Sequence, residues 1–212
     1  YPHVYHFMAG TATLEGNSHW ALYAARKVAE HADPQVMREP GWGTIQHYYT
    51  IPYYVYVKFG KWDEILAMPP EAADLKYPQA VRHYARGMAL LGKNDLAKAK
   101  QELAALKKIA SDERLQEITI WDINSVHTLL QIAQRVLEAE ILASERDFAS
   151  SIRLLQEAIA IEDGLHYNEP PDWFFSVRHH LGAVQIEAGQ YQDAIRTFET
   201  DLELLPKNGW AL

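Results

Sequence analysis

Ten histidines stand in this 212-residue chain, and two of them, His3 and His6, are three residues apart, on one face of any helix that carries them. Imidazoles at that spacing can share a zinc or nickel ion if a third ligand such as His47 and a carboxylate or water complete the shell. His179 and His180 are adjacent, so a helix turns them to different faces. Other constellations are missing: the chain has no glycine-rich phosphate loop, no His-Glu-x-x-His and no Gly-x-Ser-x-Gly. With no cysteine, disulfide scaffolds, thiolate metal sites and cysteine nucleophiles are excluded together, and the compartment stays open. The carboxylates Glu138 and Glu140, and Asp201 and Glu203, read as solvated helix faces. Glu162-Asp163 near a helix end opposes the helix dipole with no evident role. Trp62, Trp121 and Trp173 read as packing residues.

Composition sets the class. Hydrophobic residues make up 48% of the chain and charged residues 23%, with a net charge of −8, the balance of an ordinary globular protein. There is no basic run to follow a phosphate backbone or an anionic membrane, so neither nucleic acid nor membrane is expected as a partner. No apolar run approaches the roughly 18 residues of a membrane helix. The chain opens on Tyr1 and ends on the apolar Gly209-Trp210-Ala211-Leu212, which reads as a piece of a longer protein with a further helix starting at 209–212.

The elements that must position these residues are helical. Ile152, Leu155, Ala158 and Ile159 form one apolar stripe, as do Leu96, Ala99, Leu103, Leu106 and Ala110, and Tyr191, Ala194, Ile195, Phe198 and Leu202. The β-branched and aromatic run Tyr48 to Val57 is the one strand-like stretch, and its helical neighbours make it an apolar helix through Pro52. Short breaks at Glu15-Gly16-Asn17, Phe59-Gly60-Lys61, Gly92-Lys93-Asn94, Ser144 to Asp147 and Ala188-Gly189-Gln190 each predict an antiparallel hairpin. Longer, proline-bearing breaks separate the hairpins, and Asp112 to Trp121 is expected to add a helix within one of them.

The hairpins repeat. From Gly182 the chain places Gly189 at +7, Tyr191 at +9, Ala194 at +12, Phe198 at +16 and Pro206 at +24. A small residue lets two helices approach, a turn follows, and an aromatic packs back. This resembles the tetratricopeptide repeat, a helix–turn–helix unit of about 34 residues. Anchors at Ala9, Tyr53, Gly87 and Ala139 give weaker copies, separated from one another and from Gly182 by 44, 34, 52 and 43 residues. The stretches Tyr1 to Phe7, His83 to Gly87 and Asn208 to Leu212 also resemble longer bacterial proteins built from divergent repeats of this kind.

The resemblance implies a single all-α, right-handed superhelical solenoid of about five hairpins, at 2–33, 46–76, 80–111, 132–165 and 175–208, with an open concave groove. It further implies a scaffold that binds a protein or peptide there, with no enzymatic activity and no cofactor. The positions six and three before each anchor are then expected to face inward: His3 and His6, His47 and Thr50, Val81 and Tyr84, Ala133 and Val136, Ser176 and His179. With Tyr54, Arg82, Arg86, Trp173 and Arg178 nearby, these make the expected binding surface, and His3, His6 and His47 make the alternative metal set. The lysine, arginine and asparagine of the family's carboxylate clamps are not reproduced at those inward positions, which disfavours C-terminal tails. A wall of aromatic and imidazole rings suits an extended segment with aromatic or acidic groups. Uncapped solenoid ends also predict self-association.

Overall fold

Five chain reversals share one backbone geometry. Gly16, Gly60, Asn94, Arg146 and Gly189 all take left-handed φ values between 60° and 75°. In each reversal the next residue's N–H bonds to the carbonyl five positions earlier: Asn17 to Ala12, Lys61 to Tyr56, Asp95 to Leu90, Asp147 to Leu142 and Gln190 to Gln185, at 2.8–2.9 Å. This is a Schellman closure, which satisfies the carbonyls that a helix end leaves open. The residue that closes one helix also caps the next. Asn17, Asp95 and Asp147 accept the backbone N–H of Trp20, Lys98 and Ser150, where a side-chain cap contributes about 1 kcal/mol.

These reversals divide the computed structural model, which describes residues 1–212, into ten helices. They are α1 (Pro2–Leu14), α2 (Ser18–Glu30), α3 (Gly43–Lys58), α4 (Trp62–Ala67), α5 (Lys76–Gly92), α6 (Leu96–Ala110), α7 (Val126–Ser144), α8 (Phe148–Asp163), α9 (Arg178–Glu187) and α10 (Tyr191–Leu204). Consecutive helices pair as hairpins. The second helix of each hairpin then packs on the first helix of the next, and neighbouring first helices also touch. A continuous core of 43 buried residues extends from α1 to α9. No helix is long and apolar enough to cross a membrane.

Small residues set the closest crossings. A Cβ at Gly87 would lie 2.5 Å from the Leu137 side chain, so α5 meets α7 only because the position is glycine. At Gly182 the same atom would lie 2.3 Å from the Phe198 ring, which is how α9 seats α10. The helix α3 passes unbroken through Pro52 and is buried on nearly every side. Its apolar, aromatic composition all round follows from being enclosed by neighbours.

Two elements depart from the sequence expectation. Between α6 and α7 a 3-10 turn at Glu113–Glu117 leads into a small antiparallel ribbon of β1 (Thr119–Ile120) and β2 (Asn124–Ser125), in place of a helix. Trp121 and Asp122 at its tip both have left-handed φ. Its Thr119 carbonyl sits over Gly43 where a Cβ would clash, and the Trp121 N–H donates to Thr44 Oγ1 at 2.8 Å. Residues 209–212 form a turn, not a new helix. There the Trp210 indole donates to the Thr13 carbonyl at 2.7 Å and packs on Phe59, tying the tail to the ends of α1 and α3.

Candidate functional site

The first-helix positions expected to line a groove do come together, but under cover. His6, His47, Thr50, Tyr54 and Tyr84 are each at most 3% exposed, whereas Trp173, expected beside them on a first helix, lies in the connection before α9. Their cover is the connection from Gly164 to Val177, between α8 and α9. Phe174 stacks on His6 with ring centroids 5.5 Å apart, and Trp173 sets its ring against Tyr54 and Tyr84 at 5.6 Å each. Pro170 rests over Gly10, where even a methyl group would be tight. Asp172, buried, accepts from Asn124 and Asn168 at 2.8 Å each. The Asn124 amide also donates to the His166 carbonyl and accepts the His166 N–H. A ligand wall for an outside peptide is therefore replaced by the chain's own segment.

The histidine metal set does not converge. His3 is exposed, and its Nδ1 lies 3.0 Å from the Tyr48 hydroxyl. His47 Nδ1 lies 2.9 Å from the Tyr77 hydroxyl. Both ring nitrogens of His6 and Nε2 of His47 are buried without a hydrogen-bond partner. Burial, with His47 and His3 nearby, brings His6 down to about 2, and burial alone brings His47 to about 3, so both rings are neutral. No three His, Asp or Glu side chains are placed to hold a metal ion.

The arginines serve local structure. Arg82 donates to the Pro69 and Met68 carbonyls. Arg86 donates to Glu102 at 2.7 Å, which His83 Nδ1 also meets at 2.6 Å. Arg178 forks onto both oxygens of Asp163 at 2.8 and 2.7 Å. Glu162 accepts the Val177 N–H at 3.0 Å, and burial pushes its carboxyl up to about 8 against that bond and Arg178. The pair Glu162-Asp163, without evident role in the sequence, thus anchors the start of α9.

Asp201 overturns its reading as a solvated charge. It is fully buried, its Oδ2 meets His179 Nε2 at 3.1 Å, and it accepts from Asn208 Nδ2 at 2.8 Å. The signal was legible: Asp201 falls three residues after Phe198 and seven after buried Ala194, on the packed face of α10. His179 Nδ1 in turn lies 2.7 Å from Lys58 Nζ. Lys58, His179 and Asp201 thus form a row contributed by α3, α9 and α10.

Two clefts flank this row. One, of about 550 Å³, opens between α1, residues 165–176 and the ends of α8 and α10. Phe7, Thr11, Leu14 and Leu204 form its wall, and Asp163, Arg178, His179 and Asp201 line it. The other, of about 240 Å³, lies on the Lys58 side of His179 among Tyr54, Trp62, Tyr84, Met88, Trp173 and Phe175. Comparison with protein-family models, curated proteins and solved structures returned no match. Fold and site define an all-helical protein of packed hairpins with a self-covered wall and a Lys–His–Asp row between two clefts.

Proposed function

We propose that the chain is a tetratricopeptide-like solenoid acting as a protein- or peptide-binding scaffold and not as an enzyme. The regular packing of each second helix on the next hairpin, the five equivalent turns and the glycine crossings at Gly87 and Gly182 support the solenoid reading. Binding moves from the covered histidine wall to the 550 Å³ cleft beside it, and that open cleft is the observation that carries the reading. Its mouth pairs exposed apolar groups, Phe7, Leu14 and Leu204, with the exposed carboxylate Glu169 and with Asp163, whose charge Arg178 already meets. This suits an extended segment with an aliphatic or aromatic residue next to a basic one, the reverse of the acidic segment expected from the histidine wall.

The test is peptide selection on the folded chain, followed by fluorescence polarisation of the selected sequences. Selection is expected to enrich basic–apolar pairs, and Leu204→Arg is expected to weaken their binding by about tenfold or more by placing like charge at the mouth. Peptides unaffected by Leu204→Arg, or no enrichment at all, would remove this cleft as the binding site.

A further inference from the structure

Lys58 ends α3 in surroundings unlike those of the nine other lysines. It makes no ion pair, and its one polar partner is His179 Nδ1 at 2.7 Å. Trp210 and Phe175 cover its flanks, with ring centroids 4.2 and 5.6 Å from Nζ. His179 Nε2 lies 3.1 Å from Asp201 Oδ2 and 2.8 Å from Asn208 Nδ2; in the tautomer that carries its proton on Nε2, Nδ1 presents a lone pair to the lysine. Burial, with Lys58 and His180 nearby, holds His179 below its usual range, and the Asp201 carboxylate behind the ring opposes this. Nδ1 is therefore a neutral base that can carry a proton in passing. Lys58 also lines the 240 Å³ cleft, whose walls are aromatic rings and Met88, with no carboxylate in its lining.

We propose that Lys58 is a carbonyl-reactive amine that captures an uncharged, planar aromatic aldehyde in this cleft as an imine. The neutral amine's lone pair forms the C–N bond while the carbonyl π pair moves to oxygen. The nitrogen's surplus proton passes to His179 Nδ1 and then to that oxygen, giving the carbinolamine. The hydroxyl then takes up a proton and leaves as water while the nitrogen gives up its remaining N–H, and the C=N bond forms. The balance is amine plus aldehyde to imine plus water, with no oxidant or reductant. The ring-lined walls select a flat substrate, and the lack of a charged partner deeper in the cleft selects a neutral one.

Burial supports the same chemistry by bringing Lys58 down to about 8, with the Asp201 charge opposing. The titratable groups around the amine are His179 from α9, Asp201 from α10, Tyr54 from α3 itself, Tyr84 from α5, and His180, which is held by Glu140 of α7 at 2.5 Å. A lysine so placed carries far more free amine at neutral pH than one in water.

The full chain treated with limiting benzaldehyde and cyanoborohydride, then mapped by peptide mass spectrometry, tests the proposal. Lys58 is expected to be benzylated at least about tenfold faster than any other lysine at pH 7, with a rate that climbs towards pH 8. Labelling no faster than that of exposed Lys76 or Lys207 in the folded wild-type chain overturns it, and this comparison needs no variant to fold. Ala183→Leu, at an exposed position lining the cleft, is expected to slow benzaldehyde but not formaldehyde. Equal slowing of both, or of neither, would remove the cleft as the aldehyde's seat.

Discussion

The Phe174 ring lies stacked on the His6 imidazole, with centroids 5.5 Å apart and planes within 12°. This one contact joins the first helix to the connection that precedes the ninth. It converts a histidine wall into the floor of a packed interface, and it leaves His6 neutral and without hydrogen bonds.

Acid stability follows from that burial. His6 and His47 have folded values of about 2 and about 3, below the unfolded 6.5. Their contribution to stability is complete above pH 6.5 and is lost as pH falls towards those values, because the unfolded chain takes up the protons first. Each costs about 1.4 kcal/mol per pH unit in that window. Glu162, raised to about 8, opposes one of the two histidines down to about pH 4.5. Urea midpoints measured from pH 8 to pH 4 are therefore expected to fall below 6.5 less than two histidines alone would give, and to lose most of that fall in His6→Phe. An unchanged slope would mean that His6 does not titrate as a buried ring.

The covering segment belongs to the core. Phe174→Ala is expected to cost about 3–5 kcal/mol by leaving a cavity over His6, and to make residues 164–177 cleavable by protease before the rest of the chain unfolds. Tyr167→Ala in the same segment, at a residue 79% exposed, is expected to stay within about 0.5 kcal/mol. Equal effects from the two would show that the segment does not pack as described.

The α9–α10 crossing depends on the absence of a side chain. Gly182→Ala places a methyl group against the Phe198 ring, and such overpacking costs about 1–3 kcal/mol. Phe198→Leu in the same chain should recover part of that loss, so thermal unfolding of the four combinations is expected to give a coupling energy of about 1 kcal/mol. Independent effects would separate the two residues.

The helical hairpins were legible because their signals are local. Gly16, Asn94 and Gly189 supply left-handed conformers, and Asn17, Asp95 and Asp147 supply caps, all within a few residues of the bonds they close. The passage of α3 through Pro52 was legible from its helical neighbours. The ribbon at 119–125 was not, since two-residue strands show no alternation and Trp121-Asp122 lacks the usual Gly or Asn of a tight reversal. Trp173-Phe174-Phe175 in a proline-bearing connection is the local cue that the connection packs inward. Asp201 was masked by its neighbour Glu203, although its helical position placed it with Ala194 and Phe198.

The sequence alone therefore determined where the hairpins reverse and much of which helix face is apolar, because those depend on residues three to seven apart. Only the tertiary structure decided what covers those faces. The pairing of His6 with Phe174, of Lys58 with His179 and of Trp210 with Thr13 joins distant parts of the chain. Helical periodicity carries no information about such partners, since an apolar or imidazole stripe looks the same whether a ligand, a neighbouring molecule or its own chain lies over it.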